Sequence, residues 1–178
     1  MDKTKIEIAK KTLKLLETYS WEKIKLTQLK NVVKKHNIKD KNELLININR
    51  YFDYLLKKNL SDIEDSSKKD MIFEILMVRL ELLNSHRKSI KNLISYFISN
   101  PHKFILMIPS FAESIILIST LADLDFKGIK SIYKIKILFI IYFLIINTWN
   151  KDESNSLEKT MTTLDSYLSN IEKYIKFD

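Results

Sequence analysis

The sequence of 178 residues contains no cysteine, a single glycine (Gly128) and only two prolines (Pro101 and Pro109). Without cysteine the chain cannot form disulfides or use thiolate chemistry. With one glycine it lacks the material for a glycine-rich phosphate-binding loop. Because turn-forming residues are so scarce, we expect an all-α protein of long helices joined by short polar links.

Groups for catalysis or metal binding are also sparse. His36, His86 and His102 lie far apart in the sequence, and none has a partner at metal-ligand spacing. A serine elbow and a paired-acid motif are both missing. We therefore predict no catalytic residue, no metal site and no cofactor, and we do not expect an enzyme. Residues 1–14 are charged throughout and lack the apolar core of a secretory signal, so we expect a cytoplasmic protein.

The net charge of +8 is concentrated at the N-terminus. Residues 1–41 contain twelve lysines and five acidic residues, whereas the rest of the chain is nearly neutral. Such an asymmetry is typical of proteins that bind nucleic acid or an anionic membrane surface. A merely solvated lysine-rich surface is the alternative interpretation.

The most apolar stretch is residues 135–149, IKILFIIYFLIINTW, and its segment 137–146 is entirely apolar. A helix that is apolar on all sides must be surrounded by protein or lipid. Ten residues rise only about 15 Å as a helix, roughly half of a bilayer core. We therefore predict the central helix of a bundle, partly buried against a second copy of the chain.

Apolar residues at helical spacing predict the other helices, and the polar segment 61–69 predicts a boundary between a headpiece (1–60) and a helical body (61–178). Asn100 is expected to cap the helix that Pro101 opens. Asn155 and Glu158 have the spacing of a capping box. The predicted helices cover approximately residues 6–16, 21–37, 44–60, 72–83, 90–97 and 101–122, followed by the central helix and a last helix from 155 onwards.

The last helix has apolar residues at alternating spacings of four and three from Leu157 to Ile175. This pattern is that of a coiled-coil seam. Packing within one chain explains such a seam, and so does a two-fold interface between protomers, which we favour. The predicted dimer interface consists of Ile140, Phe143, Leu157, Met161, Leu164, Leu168 and Ile171.

Glu113 is the one acidic residue in a strongly apolar helix, in which Pro109 predicts a kink. Because an unpaired buried carboxylate is costly, we expect an ion pair with Arg79, Arg87 or a lysine, or else a polar anchor in a ligand pocket. Aromatic and methionine residues nearby are candidates for the pocket lining, with plain core packing as the alternative. The candidate pocket residues are Phe73, Met77, Phe97, Phe104, Met107, Phe111, Glu113 and Ile115.

Several segments resemble regulators of the tetracycline-repressor (TetR) type. Ser20-Trp21, Leu26-x-x-Leu29 and Lys41-x-x-Leu44-Leu45 resemble the headpiece, and the last of these resembles the start of the family's fourth helix. Residues 70–88 and 147–172 resemble the body of an alphaproteobacterial TetR-like group. The resemblance implies an all-helical homodimer of about nine helices, with a helix-turn-helix headpiece and a larger body that binds a small molecule.

The resemblance breaks down at the recognition helix. Only residues 33–41 (VKKHNIKDK) separate the second helix from Leu44-Leu45, and no turn glycine is present. A helix-turn-helix reads bases with side chains that its second helix places in the major groove, so a shortened helix offers few of them. In another register residues 40–49 would form the reading helix and present Asn42, Asn47 and Asn49.

Two functions follow from these features. The first is a TetR-like regulator, or a degenerate descendant, with an apolar ligand in the body and phosphate contacts from Lys25, Lys30, Lys34, Lys35, Lys39 and Lys41. The alternative is a lipid- or isoprenoid-binding accessory protein of the coenzyme Q biosynthesis type, a group that resembles TetR regulators in fold. Such a protein would approach an anionic membrane through the basic headpiece. A purely structural interaction module is a third possibility.

Overall fold

The computed structural model describes residues 1–29, 38, 40–60, 66–124 and 129–172. These residues contain seven α-helices, two short 3-10 turns and no strand, which confirms the all-α prediction. The resemblance implied about nine helices; 3-10 turns occupy the described part of the predicted second helix, whose residues 30–37 lie outside the described residues. The elements are α1 (Lys3–Leu16), the turns Trp21–Lys23 and Leu26–Leu29, α2 (Lys41–Asn59), α3 (Lys68–Asn84), α4 (Arg87–Ser99), α5 (Pro101–Leu121), α6 (Ile129–Lys151) and α7 (Glu158–Glu172).

Side-chain caps define where the early helices begin. The Asp2 carboxylate accepts hydrogen bonds from two backbone N–H groups of the first turn of α1, at 3.0 and 2.9 Å. The Asp40 carboxylate does the same for α2, at 2.7 and 3.0 Å. The Ser67 hydroxyl accepts from an N–H of α3 at 3.2 Å. Each cap satisfies donors that have no partner within the helix, and a carboxylate also suits the positive end of the helix dipole.

The predicted helix over residues 21–37 is wrong in its described part. Two groups that an α-helix would pair with each other are engaged by side chains instead. The Lys25 N–H donates to the Gln28 side chain at 2.7 Å, and the Trp21 carbonyl accepts from the Lys41 ammonium at 2.6 Å.

Asn92 of α4 binds the chain between α1 and the first 3-10 turn. Its amide nitrogen donates to the carbonyls of Leu16 and Tyr19, at 3.1 and 2.7 Å, and its amide oxygen accepts from the N–H of Trp21 at 3.3 Å. This contact joins residues 71 positions apart in the chain.

The chain divides into two compact units, each built from two segments. Unit 1 comprises residues 1–57 and 82–114. Within it α1 packs against α4, and the buried Ser89 hydroxyl donates to the carbonyl of Leu13 at 2.7 Å. The two units are defined by packing. The predicted boundary near residue 60 separates a headpiece from a helical body, and it stays a prediction.

Unit 2 comprises residues 58–81 and 115–178 and contains the packed pair α6 and α7. Its core includes the large buried side chains of Arg79 and Trp149 together with Leu138, Ile145 and Leu164. The sequence predicted that residues 135–149 form the central helix of the bundle. This prediction is partly confirmed, because one side of α6 lies in the core. Its other side carries exposed apolar residues.

The turn between α6 and α7 is organised by Asp152. The buried carboxylate accepts from the N–H and hydroxyl of Thr160, both at 2.7 Å, and from the N–H and hydroxyl of Ser154, at 3.1 and 2.6 Å. The Ser154 hydroxyl in turn accepts from the N–H of Glu158 at 3.0 Å. The sequence predicted a start at Asn155, but α7 begins at Glu158, and Asp152 and Ser154 cap it instead of Asn155.

The same turn contains an unusual backbone conformation. Leu157, the residue before α7, has a φ of 55°, in the left-handed region that non-glycine residues seldom adopt. Its side chain is buried. The burial of Leu157 and the hydrogen bonds of Asp152 together stabilise a conformation that the sequence pattern alone does not predict.

Two helical stretches, Pro101–Leu121 and Ile132–Lys151, are long and apolar enough to cross a membrane by length and composition. Only a third of each stretch is buried within the structure. The core helix of a water-soluble protein passes the same test, so length and composition do not decide between the two environments.

Candidate functional site

The first 3-10 turn is anchored by Lys41, the first residue of α2. Its ammonium donates to the carbonyl of Trp21 at 2.6 Å and lies 4.9 Å from the centroid of the indole ring. Burial lowers the pKa of Lys41, and the nearby Glu22 carboxylate partly offsets this. The Lys41 ammonium thus holds the turn in place, and its contact with phosphate stays a prediction.

The other predicted phosphate-binding lysines are only partly within the described residues. The Lys25 side chain is exposed, and its backbone N–H donates to the Gln28 side chain at 2.7 Å, which stabilises the second 3-10 turn. The shortened recognition helix over residues 33–41 lies mostly outside the described residues, as do Lys30, Lys34, Lys35 and Lys39.

The alternative register, in which residues 40–49 read bases, is wrong. Asn47 is buried and donates to the carbonyl of Lys5 in α1 at 2.9 Å. Asn49 is also buried and donates to groups of α5. Both amides are thus used to pack α2 within unit 1, and they cannot reach base edges without breaking that packing.

Asn49 belongs to a buried polar link between α2 and α5 that the sequence analysis missed. Its amide nitrogen donates to the carbonyl and hydroxyl of Ser110, both at 3.0 Å, and to the hydroxyl of Ser114 at 2.8 Å. The Ser114 hydroxyl donates to the Asp53 carboxylate at 2.9 Å. The signal was present as two serines four residues apart in an apolar helix, a spacing that places both on one face.

Three of the candidate pocket residues form an aromatic cluster in unit 1. The rings of Phe97, Phe104 and Phe111 have centroid separations of 5.9, 6.4 and 5.7 Å, within the range of attractive aromatic pairs. Met107 is buried in the same unit. The structure therefore brings these three phenylalanines of the predicted set together.

Glu113 differs from the prediction in both environment and partner. Its side chain is exposed and pairs with the exposed Arg50 at 3.2 Å. The predicted partner Arg79 instead lies in the core of unit 2, and Arg87 donates to the Asn84 side chain at 2.8 Å. Because water screens an exposed pair, this contact is weak and does not anchor a ligand inside an apolar pocket.

The remaining pocket candidates, Phe73, Met77 and Ile115, lie in unit 2 and are half-buried or buried. The same unit contains a buried polar contact, in which the Arg79 Nε donates to the Tyr142 hydroxyl at 2.8 Å and the guanidinium lies 5.5 Å from the centroid of its ring. This pair combines a charge-assisted hydrogen bond with a cation–π contact, which suits an arginine in an apolar core.

The predicted dimer residues fall into two groups. Leu157, Leu164 and Leu168 are already buried within unit 2, whereas Ile140 and Met161 are exposed and Phe143 and Ile171 are half-buried. Leu144, which was not predicted, is 46% exposed one turn beyond Ile140, itself 57% exposed. We call Ile140, Leu144 and Met161 the α6–α7 surface.

Histidine and acidic residues in the described part of the chain do not form any group of three that could hold a metal ion. His86 packs edge-on against Phe52, with centroids 5.8 Å apart. Burial lowers the pKa of His86, so the imidazole is neutral at physiological pH. His86 is thus half-buried among aromatic side chains.

Comparison with solved structures decides the fold. The crystal structure of a TetR transcriptional regulator from Nitrosomonas europaea ATCC 19718 is similar to this chain, with a TM-score of 0.71, covering 95% of this chain and 98% of that one. The chain has a TetR-like fold. The sequences are only 19% identical, so the likeness concerns the fold and not the ligand or the operator. No family model and no curated protein matches the sequence.

Proposed function

We propose that this chain is a TetR-like transcriptional regulator, or a degenerate descendant of one, that binds DNA mainly through phosphate contacts. The observation that carries the proposal is the TetR-like fold over 95% of the chain. The strongly basic residues 1–41 supply the charge that such a role requires. In this proposal residues 1–60 form the DNA-contacting headpiece of a cytoplasmic, non-enzymatic protein.

The expected mode of DNA binding follows from which side chains of the headpiece are free of other roles in packing. The best-placed asparagines of α2 are buried, and Lys41 is held by a backbone carbonyl. Lysines contact phosphates as point charges, which gives affinity but no sequence information. The protein should therefore bind unrelated duplexes with similar affinity, and the affinity should fall steeply as salt is raised.

A pair of adjacent lysines offers a sharp test of the phosphate contacts. Lys34→Gln/Lys35→Gln should lower the affinity for duplex DNA and reduce the slope of log K against log salt by about 1.8, because each phosphate that is no longer neutralised accounts for about 0.9. The matched control is Lys151→Gln/Lys159→Gln, two exposed lysines of the helical body at the end of α6 and the start of α7. Fluorescence anisotropy over a range of salt concentrations gives both quantities.

Either of two results would contradict the proposal. If the wild-type chain shows no DNA binding even at low salt, the chain does not act on DNA. If both lysine pairs reduce the slope of log K against log salt equally, the affinity depends on the net charge of the chain and not on a headpiece.

The helical body, residues 61–178, is proposed to bind an apolar small molecule and to join two protomers. Phe73, Met77 and Ile115 are candidates for ligand contacts in unit 2 because they are apolar and largely buried. The α6–α7 surface is the candidate dimer contact, since exposed large apolar side chains on packed helices mark protein interfaces.

A further inference from the structure

A second set of exposed apolar side chains lies in unit 1, where α4 meets α5. Ile98 is 75% exposed, Ile105 62% and Leu106 58%, and Ile108 is also exposed. Asn100 and Pro101 join the two helices at this corner, and the Asn100 amide donates back to a carbonyl of α4 at 3.0 Å instead of capping α5 as predicted. We call Ile98, Ile105, Leu106 and Ile108 the α4–α5 corner.

The charge around the corner is mostly positive. The two helices contain Arg87, Lys88, Lys91 and Lys103, and their one acid, Glu113, pairs with Arg50 at 3.2 Å. On α4, Lys91 lies seven residues before Ile98, on the same side of the helix, and Lys88 lies one turn before Lys91. On α5, Lys103 lies three residues before Leu106. Cations therefore border the exposed apolar residues of both helices.

Two acids of other elements act on residues of this region, Glu17 on His86 just before α4 and Glu22 on Tyr96. Tyr96 packs with Trp21 at a centroid distance of 6.0 Å. It lies two residues before Ile98, which places it on the opposite side of α4. Lys91, in contrast, shares the side of α4 that carries Ile98.

A second copy of the chain is a poor partner for this corner. In a two-fold interface the same patch faces itself, so Lys88, Lys91 and Lys103 would approach the identical cations of the other protomer. The one acid of the two helices, Glu113, already pairs with Arg50. An anionic lipid surface, in contrast, offers both an apolar phase for the isoleucines and negative charge for the lysines.

We propose that the α4–α5 corner docks the protein on an anionic membrane surface, with Ile98, Ile105 and Leu106 inserted at the headgroup boundary. The flanking lysines lie at headgroup level, where each adds electrostatic attraction. The docking is peripheral, and it is separate from the lysines of residues 1–41. The proposal does not depend on DNA binding.

Sedimentation with vesicles tests the docking on the full-length chain. The probes are vesicles of phosphatidylcholine with about 30% phosphatidylglycerol, and vesicles of phosphatidylcholine alone. We expect binding to the anionic vesicles, at least about tenfold weaker binding for Ile98→Ser/Ile105→Ser, and a loss of about tenfold for Lys88→Gln/Lys91→Gln. Because Ile98 and Ile105 are exposed, both proteins should give the wild-type circular dichroism spectrum.

Matched controls separate the corner from general stickiness and charge. Ile132→Ser removes an equally apolar side chain that is 53% exposed on α6. This variant should leave vesicle binding unchanged, in contrast to Ile105→Ser. Lys57→Gln/Lys58→Gln removes the same charge as the α4 pair, and it should have the smaller effect.

Three outcomes overturn the proposal. The first is that the wild-type chain does not bind anionic vesicles. The second is that it binds, but the corner variants bind as tightly as their controls. The third is that Ile98→Ser/Ile105→Ser changes the mass of the particle in sedimentation velocity, which would show that a second copy covers the corner.

Discussion

The α4–α5 corner and the α6–α7 surface expose similar side chains, mostly isoleucine and leucine, to a similar extent. They differ in charge. On α6 the exposed residues include Lys136 and Lys151, while α7 begins with the exposed acid Glu158. The corner has cations on both of its helices, and the one acid of these helices, Glu113, pairs with Arg50.

This difference indicates which partner each surface suits. A two-fold operation can bring the cations of one α6 towards the acid of the partner's α7, so the α6–α7 surface is compatible with itself. The corner is less so, because it would meet mostly like charge. Exposed apolar area marks a candidate contact surface, and the surrounding charge indicates whether a second copy or a lipid surface suits it better.

The largest effect should come from charge placed on the α6–α7 surface. Ile140→Asp/Leu144→Asp should weaken the dimer by about a hundredfold or more, because two buried anions would face their copies across the interface. Sedimentation equilibrium measures the dissociation constant. Ile98→Asp/Ile105→Asp is the matched control and should leave it unchanged. A dimer that survives the first pair and dissociates with the second would reverse the assignment.

The next largest effect should come from the turn that orients α7 against α6. Asp152→Asn should lower the free energy of unfolding by about 2–3 kcal/mol, because it weakens a buried charge-assisted network to Ser154 and Thr160. Urea denaturation measures the difference. The control is Glu153→Gln, an exposed neighbour whose change should cost less than about 0.5 kcal/mol.

The contribution of Asp152 should also depend on pH. Burial alone would raise the pKa of Asp152, but hydrogen bonds from Ser154 and Thr160 outweigh it and hold the pKa well below its ordinary value. A depressed pKa in the folded state stabilises the protein above the unfolded pKa of about 3.9, and this stabilisation is lost as pH falls further. The stability difference between wild type and Asp152→Asn should therefore be constant from pH 7 to about 5 and shrink below about 4.

The smallest effect should come from the Arg50–Glu113 pair near the corner. Both side chains are more than half exposed, so Glu113→Gln should change the free energy of unfolding by less than about 1 kcal/mol. Removing this acid should leave vesicle binding the same or slightly tighter. A loss of several kcal/mol in denaturation would show that Glu113 is buried in solution, as the sequence suggested.

The long helices were predictable because their apolar periodicity is strong. The predicted segments 6–16, 72–83 and 101–122 correspond closely to α1, α3 and α5. In these segments the spacing of the buried residues and the helical preference of the local sequence agree. The all-α class followed from the scarcity of glycine and proline, and the TetR-like fold from the order of the helices and the segments that resemble that family.

Other features depended on contacts that sequence spacing does not contain. The 3-10 turns replace a helix because Lys41, distant in sequence, binds the Trp21 carbonyl, and the Gln28 side chain binds the Lys25 N–H. The seam on α7 was visible as a pattern, but the pattern does not specify which helix covers it, and Leu164 and Leu168 are buried by their own chain. Glu113 lies on the exposed side of α5, although its neighbours in sequence are apolar.

The central claim is that this TetR-like fold binds DNA by charge and not by reading bases. The most direct measurement is a titration of the wild-type chain with two duplexes of equal length and unrelated sequence, at several salt concentrations. We predict equal salt slopes and affinities within about threefold of each other. Nanomolar binding to one duplex at physiological salt, with binding to the other at least about a thousandfold weaker, would contradict the claim and indicate a complete recognition helix.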